Sequence, residues 1–103
     1  MPEIRKLKAV RALVRPDQRD EYLERWTGYA GTVKAMGAQV WLFEDQMLPG
    51  RFLEFTEHMA EKGMEGKLEA ALVGADVRGV CIRREGDDVL YREVVWGKGR
   101  NSQ

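Results

Sequence analysis

The stretch QVWLFEDQMLPGRFLEFTEH, residues 39–58, decides the fold. Two runs with the alternation of β-strands flank Pro49-Gly50, a pair typical of a tight turn. In each run both alternating faces carry apolar side chains, so both faces of this hairpin are expected to be buried against other parts of the protein. The stretch therefore predicts a hairpin in the middle of a sheet, with something packed on either side.

Length and charge limit the classes of protein to consider. The 103 residues are the length of one domain, so a single domain over residues 1–103 is expected. Seventeen basic residues balance seventeen acidic ones, which removes the electrostatic basis for strong binding to nucleic acid or to an anionic membrane. No apolar run approaches the ~20 residues of a membrane span, and no leader pattern is present. These features predict a cytoplasmic protein with neither nucleic acid nor membrane as a partner.

The chain is poor in the nitrogen and sulfur ligands that zinc prefers. Cys81 is the only cysteine and His58 the only histidine, so no intrachain disulfide can form and no metal site is expected. Cys81 lies between Val80 and Ile82 and is expected to be a buried small apolar residue. No cofactor is predicted.

The residues before the hairpin form a strand and a helix. Residues 7–14 alternate as a strand, which Pro16 ends because proline lacks a ladder donor while its fixed φ suits the first turn of a helix. The helix runs to Met36, and Gly37 is placed to end it in a left-handed conformation. Its apolar residues recur at steps of three and four along one stripe, which predicts that they are core or rim residues: Tyr22, Leu23, Trp26, Tyr29, Ala30, Val33 and Met36.

The residues after the hairpin contain one ambiguous segment. Residues 59–73 predict a second helix, weakened by Gly63 and Gly66. Residues 75–85 fit both a short helix capped by Asp76 and a strand; the helix is favoured and the strand stays open. Residues 89–96 alternate as a last strand, and the polar residues 97–103 predict a frayed tail.

The order strand, helix, strand, strand, helix, strand predicts an α+β, ferredoxin-like βαββαβ plait. In that fold both helices cover one face of a four-stranded antiparallel sheet. We assign an aliphatic set to the helix side: Val10, Ala12, Val14, Val40, Leu42, Leu53, Phe55, Leu90 and Val94. The other, open face then carries Leu13, Trp41, Phe43, Phe52 and Tyr91. Because so large an apolar face is unusual on a soluble monomer, we expect a second copy to cover it in a symmetric homodimer, a dimeric α/β barrel.

Three stretches carry a resemblance to a known family: VRPDQRDEYLERW, AQVWLFEDQMLPGRFLEFTE and LYREVVW. The sequence resembles, over nearly its whole length, the dimeric α/β-barrel superfamily, and within it the small proteins of the antibiotic-biosynthesis-monooxygenase-like group. The superfamily includes cofactor-free oxygenases, heme-degrading enzymes, isomerases and members without known activity, so fold alone does not select a function. The heme-degrading members share an Asn-Trp-His set, and because the only asparagine here is Asn101 in the tail, the resemblance disfavours heme degradation.

The candidate site residues are assigned to the open face, together with Thr56. His58 is the residue whose ordinary pKa suits proton transfer near neutrality, Arg11 would hold an oxyanion, and Glu54 is a candidate base. We therefore predict His58, Arg11 and Glu54 as catalytic, with Trp41, Phe43, Tyr91 and Glu93 binding a small aromatic ligand. If Glu54 and Glu93 flank a single arginine, repulsion should raise the pKa of one of them.

Each of these residues also has a structural interpretation. A histidine at a strand end is often a surface or capping residue, aromatic side chains on a sheet face often fill a dimer core, and Arg11 is as readily an ion-pair partner of a glutamate. The leading hypothesis is a homodimeric ligand-binding protein that oxidises a quinol or polyketide-like aromatic without a cofactor. The alternatives are a non-catalytic structural or regulatory dimer, and an isomerase or lyase with Glu54 or Glu93 as base.

Overall fold

The computed structural model describes residues 5–86 and 91–97. In chain order the elements are β1 (Arg5–Leu13), a 3-10 turn (Pro16–Gln18), α1 (Arg19–Ala35), β2 (Gln39–Glu44), β3 (Arg51–Met59), α2 (Met64–Ala75), a second 3-10 turn (Arg78–Val80), β4 (Arg83–Gly86) and β5 (Tyr91–Arg92). None of the helices described is long and apolar enough to cross a bilayer.

The sheet has the ferredoxin-like order β2-β3-β1-β4, with all pairs antiparallel, and β5 also pairs with β1. The predicted α+β plait is confirmed. The described residues form five strands rather than the predicted four, because β4 and β5 both pair with the same edge of β1. Residues 10–13 of β1 pair with β4, and residues 6–7 of β1 pair with β5. The register of the β5 pairing differs from that of the β4 pairing by two residues.

The first helix agrees with the sequence. Pro16 opens a turn that leads directly into α1, and Gly37 follows its end with a φ of 94°. Most of the stripe predicted as core is buried, including Tyr22, Trp26 and Val33, while Leu23 and Met36 are partly buried. Packing therefore accounts for the spacing of this stripe.

The second half of the chain departs from the sequence predictions. The second helix begins at Met64 rather than at residue 59, because β3 continues to Met59. The favoured helix over residues 75–85 is wrong: only one 3-10 turn forms before β4, whose pairing with β1 satisfies an edge that a helix would leave open. Asp76 ends α2 in a left-handed conformation, with its N–H donated to the Leu72 and Val73 carbonyls, and does not cap a new helix.

The predicted strand over residues 89–96 is reduced to β5 within the described residues. Val94 is exposed, so its assignment to the helix-side core is wrong in the single chain. Leu90, assigned to the same core, lies outside the described residues, as does the predicted tail apart from Gly97.

The face assignment of β3 is also wrong. Val40 pairs with Thr56 and Leu42 with Glu54, and directly opposed residues of two antiparallel strands lie on the same face. Phe52, Glu54, Thr56 and His58 are therefore buried on the helix side. Leu53 and Phe55 instead share the open face with Trp41 and Phe43. Since side chains alternate with a period of two, this shift of one residue moves every side chain of the strand to the opposite face.

The core lies between the helices and one face of the sheet. Tyr22 of α1 packs on Phe52 of β3 with ring centroids 4.6 Å apart, and Val14, Val33 and Val77 are fully buried nearby. In α2 only Met64 and Leu72 are buried, and this helix packs chiefly on α1. Trp41, Phe43 and Tyr91 remain exposed on the opposite face of the sheet.

The hairpin turn is fixed by a cluster around Glu44. Arg19 at the start of α1 donates to both Glu44 oxygens, at 3.0 and 2.6 Å, and the Gly50 N–H donates to Oε2 at 2.9 Å. These bonds hold the pKa of Glu44 down to about 2. The Gly50 carbonyl in turn accepts from the Val14 N–H at 2.8 Å. The turn of the hairpin, the end of β1 and the start of α1 are thus connected through one carboxylate.

Replacing Gly50 should be costly. Gly50 has a φ of 97°, and a Cβ added there would lie 2.4 Å from the Val14 carbonyl oxygen. We expect Gly50→Ala to lower the free energy of unfolding by about 2 kcal/mol or more. Gly28→Ala is the matched control: its Cβ would meet nothing within 4 Å in the middle of α1, so a gain of about 0.5–1 kcal/mol is expected. Urea denaturation measures both, and equal effects would contradict this account of Gly50.

The Glu44 cluster should make stability depend on acid pH. Because the folded-state pKa of Glu44 lies below the ordinary value of 4.5, its contribution is present above that value and is lost as the pH falls from about 4.5 towards 2. We expect Glu44→Gln to destabilise the protein at pH 7 and progressively less towards pH 2. Denaturation at several pH values tests this, with Glu24→Gln on the exposed side of α1 as the control. A destabilisation by Glu44→Gln that does not change with pH would contradict it.

Candidate functional site

The open face contains a broad concavity of about 470 Å³. Its walls are largely aromatic, because Phe55 of β3 lies opposite Trp41 of β2 and its ring meets Phe43 edge-on at 5.8 Å. Tyr91 and Glu93 complete one side. The four residues predicted to bind a ligand, Trp41, Phe43, Tyr91 and Glu93, are therefore brought together, and their binding of a ligand stays a prediction.

The residues predicted as catalytic are not brought together. Arg11 is exposed on the open face, where Leu53 and Glu85 lie opposite it on the neighbouring strands. Glu54 and His58 are each only 2% exposed on the helix side. The predicted convergence of these three side chains is thus wrong, since the sheet itself separates them. Their individual catalytic roles stay predictions, and those of Glu54 and His58 now concern the opposite side of the sheet.

A second, smaller pocket lies on the helix side between α2 and the sheet. It holds about 70 Å³, room for about two water molecules at ~30 Å³ each. Val10, Leu68 and Leu72 supply apolar wall. Its polar lining is dense for so small a space: Lys8, Tyr29, Thr56, His58, Glu65, Glu69 and Arg84.

His58 presents one ring nitrogen as a hydrogen-bond acceptor. Its Nδ1 lies 2.8 Å from the backbone carbonyl oxygen of Met59. Because a carbonyl only accepts, Nδ1 must carry the hydrogen of this bond, which leaves the lone pair of the neutral ring on Nε2. Burial at the end of β3 fixes the ring in this orientation. In the neutral form of this tautomer, Nε2 is therefore the nitrogen that can accept a proton.

Tyr29 of α1 and Thr56 of β3 share a hydrogen bond across the pocket wall. Their hydroxyl oxygens are 3.1 Å apart, and either can donate. Burial raises the pKa of Tyr29 above its ordinary value, so the phenol stays protonated near neutrality. Two neutral hydroxyl groups thus lie near the imidazole, where they can orient an oxygen atom of a bound molecule.

Arg84 of β4 brings a cation to the same pocket and is held by a buried carboxylate. Its Nε and Nη2 donate to the two oxygens of Glu54, at 3.2 and 2.7 Å, and the Tyr22 hydroxyl donates to Glu54 Oε2 at 2.7 Å. Burial and the nearby Glu54 charge raise the pKa of Tyr22 far above its ordinary value. Both Glu54 oxygens therefore accept bonds, which favours a role in positioning Arg84 over a role as a base.

Other predicted features of the site are corrected or remain untested. Glu54 and Glu93 do not flank one arginine, because they lie on different faces of the sheet. Cys81 is half-buried rather than buried as predicted, and burial raises the pKa of its thiol to about 11. Among the described residues no three His, Cys, Asp or Glu side chains converge as metal ligands would. The predictions of no metal and no cofactor remain predictions.

Arg84 and Tyr29 are the pocket residues whose role the sequence did not reveal. Tyr29 was explained by the packing stripe of α1, and Arg84 fell in the segment interpreted as a helix. One signal for Arg84 was available: in the strand alternative for residues 75–85 it alternates with Arg83 and Glu85, and a buried Glu54 requires a cation beside it. The helix interpretation concealed this pair.

Solved structures provide the comparison with known proteins, since no protein-family model and no curated protein matches the chain. A proposed antibiotic biosynthesis monooxygenase from Nitrosomonas europaea is similar, with a TM-score of 0.73 and 17% identity over 91% of this chain and 94% of that one. A second proposed one, from Chloroflexus aurantiacus, has a TM-score of 0.58 and 16% identity over 95% and 99%. Another antibiotic biosynthesis monooxygenase has a TM-score of 0.56 and 16% identity over 88% and 99%.

The chain has the fold of these proteins. At such low identity the likeness concerns the fold alone, which agrees with the ferredoxin-like architecture predicted from the order of elements. It assigns no substrate and no catalytic residue.

Removing only Glu54 from its network with Arg84 and Tyr22 should destabilise the protein more than replacing all three residues by apolar ones. Glu54→Leu leaves a buried guanidinium and the Tyr22 hydroxyl without their acceptor, so we expect a loss of about 3–5 kcal/mol in the free energy of unfolding. Replacing all three groups, by Glu54→Leu, Arg84→Met and Tyr22→Phe, removes the stranded polar atoms and should cost less. Chemical denaturation compares the two variants. A triple variant less stable than the single one would argue against this interpretation of the network.

Proposed function

We propose that this protein is a small-molecule monooxygenase that acts without a bound cofactor, as a homodimer, with its chemistry in the helix-side pocket. One observation carries the proposal: the only histidine of the chain is buried there with an acceptor nitrogen, in a pocket that Arg84 also lines. A base, a cation and apolar walls are what proton removal from an acidic aromatic requires. The likeness in fold to proteins described as monooxygenases supports the same class.

The proposed reaction begins with proton transfer. His58 Nε2 takes a proton from an activated ring methylene or phenol of a flat, polyketide-like substrate, and Arg84 balances the resulting negative charge. Tyr29 and Thr56 share one hydrogen bond, so one hydroxyl group donates to the other, and the second donates to the same substrate oxygen. In the oxidation of a methylene by O₂, one oxygen atom becomes the new carbonyl oxygen, and the other leaves with the two hydrogen atoms of the methylene as water. In the oxidation of a naphthoquinol, one oxygen atom becomes the ring hydroxyl group of a hydroxynaphthoquinone, and the other leaves as water with two hydrogen atoms of the quinol. No external reductant is needed for this balance.

Substrate entry requires α2 to move away from the sheet, because a pocket of about 70 Å³ does not hold an aromatic ring. The helix is suited to such a movement. It is bounded by two residues in left-handed conformation, Gly63 and Asp76, and only two of its side chains are buried.

The exposed apolar side chains of the open face are the basis for proposing a homodimer. Trp41, Phe43 and Tyr91 are each about half exposed there. A contiguous apolar face of this kind marks an interaction site on a soluble protein. With the chemistry on the helix side, this face is available for a second copy, so pairing would not obstruct the catalytic pocket.

Removing the base should abolish most of the activity. We expect His58→Gln to lower kcat/KM by about 10²–10⁴-fold in O₂ uptake with anthrone or a naphthoquinol as the probe. Arg84→Met should lower it as well, through loss of the charge that stabilises the anion, while Thr32→Ala on the exposed side of α1 should not. Circular dichroism checks that each variant is folded. Turnover of folded His58→Gln equal to that of the unsubstituted protein, or no turnover of either probe by the latter, would contradict the proposal.

A second candidate function is supported by the open-face concavity. Its volume of about 470 Å³ lies within the range of small-molecule sites, and its walls are aromatic. A non-catalytic dimer that binds a flat aromatic ligand there would use Trp41 rather than His58. Calorimetric titration with anthrone distinguishes the two: weaker binding by Trp41→Leu together with unchanged binding by His58→Gln favours this candidate.

A further inference from the structure

Lys8 is a cation of the helix-side pocket that the proposed reaction does not use. It lies on β1 directly opposite Thr56 of β3, and both residues line the pocket. Lys8 is exposed, and among residues 5–86 and 91–97 it belongs to no ion pair. Its ammonium group is therefore available to an anionic group of a ligand.

The position of the Lys8 side chain follows from a glycine on the neighbouring strand. A Cβ added at Gly86 of β4 would lie 3.5 Å from Lys8 Cε, so the lysine stem lies against the backbone of β4 there. Arg84 comes two residues before Gly86 and therefore points to the same face of the sheet. Lys8 and Arg84 thus bring two cations to the wall that the sheet contributes to the pocket.

The sheet wall has one positive charge in excess. Arg84 donates to both oxygens of Glu54, at 3.2 and 2.7 Å, so these two charges balance. As a base, His58 is neutral and adds no charge. The charge of Lys8 has no such counterpart among the residues of the sheet that line the pocket, so a ligand with a single negative charge would match this wall.

The acidic part of the lining belongs to α2. Glu69 accepts two bonds from Arg78, at 2.8 and 3.0 Å, and these bonds, with a smaller contribution from the Lys8 charge, lower its pKa. Glu65 lies in the exposed first turn of the helix. Because α2 has to leave the sheet before an aromatic ring can enter, both carboxylates move away from Lys8 as the pocket opens. A carboxylate of the ligand can then take their place.

We propose that Lys8 selects aromatic substrates with a carboxylate next to the phenol that His58 deprotonates, and that it binds this carboxylate directly. The inference rests on the proposed function and names the substrate class of its pocket. Directly opposed residues of antiparallel strands have Cβ atoms ~4.5–5.5 Å apart, so Lys8 and Thr56 reach neighbouring groups of one ligand. Since the Tyr29–Thr56 pair donates to the phenol oxygen, the ortho position lies nearest to Lys8.

Titration calorimetry under nitrogen tests this selection apart from turnover. The probes are 1-hydroxy-2-naphthoate and its neutral amide, which have nearly the same shape. We expect the unsubstituted protein to bind the carboxylate more tightly than the amide. Lys8→Met, which keeps an unbranched apolar stem, should weaken binding of the carboxylate roughly fivefold or more and binding of the amide much less.

Two further variants control for charge and position. Lys8→Arg keeps the cation and should retain most of the preference for the carboxylate. Lys34→Met removes an exposed lysine from the last turn of α1 and should leave the preference unchanged. The isomer 6-hydroxy-2-naphthoate, with its carboxylate across the ring system from the hydroxyl group, should bind less tightly than 1-hydroxy-2-naphthoate.

Several outcomes would overturn the role of Lys8. Equal binding of the carboxylate and the amide would do so, as would equal weakening of both in Lys8→Met. Loss of the preference in Trp41→Leu would place the anion on the open face instead. Equally tight binding of the two hydroxynaphthoate isomers would contradict the ortho position of the carboxylate.

Turnover separates failure of this inference from failure of the proposed function. In O₂ uptake with 1,4-dihydroxy-2-naphthoate, which is oxidised with the same balance as a naphthoquinol, we expect Lys8→Met to raise KM more than it lowers kcat. Binding that prefers the carboxylate through Lys8 but leads to no turnover would overturn the proposed function alone. Turnover with equal KM for this carboxylate and its amide would overturn the inference alone.

Discussion

The structure depends on a carboxylate buried where an apolar side chain would be expected. Glu54 lies between the sheet and α1, with both oxygens bonded to groups that are themselves largely removed from water, the Arg84 guanidinium and the Tyr22 hydroxyl. A buried carboxylate without these partners would cost several kcal/mol. The pair therefore connects the two strands on either side of β1, and Tyr22 attaches α1 to the same point. The Glu54 carboxylate therefore relates the register of β3, the position of the edge strand β4 and the position of α1 to one another.

The same network explains which parts of the molecule could be predicted from sequence. The order of elements, the bounds of α1 and the Pro49-Gly50 turn follow from local chemistry, namely proline geometry, the apolar stripe and a glycine with positive φ, and each is found in the structure. These signals are confined to a few neighbouring residues. They can be interpreted without knowing which residues pack against them in the folded protein.

The face of β3 could not be predicted in this way. Leu53 and Phe55 are more apolar than Glu54, Thr56 and His58, so an assignment by hydrophobicity turns the polar residues away from the helices. The structure does the opposite, because each of these polar groups has a specific partner there: Arg84 and Tyr22 for Glu54, Tyr29 for Thr56 and the Met59 carbonyl for His58. The partners are remote in sequence or belong to the backbone. Arg84 in particular lay in a segment that fits a helix and a strand equally well.

Correcting that face also changes the relation between the two hypotheses for this chain. While His58 and Trp41 were assigned to one surface, a catalytic pocket and a dimer interface competed for it. Once they lie on opposite sides of the sheet, the proposed chemistry and the proposed interface no longer exclude each other. They remain physically connected, because β1 and β3 carry side chains of both: Lys8 and Thr56 line the helix-side pocket, and Leu7 and Phe55 line the open-face concavity. A change in strand position caused by pairing would therefore reach the pocket through residues one step apart on the same strands.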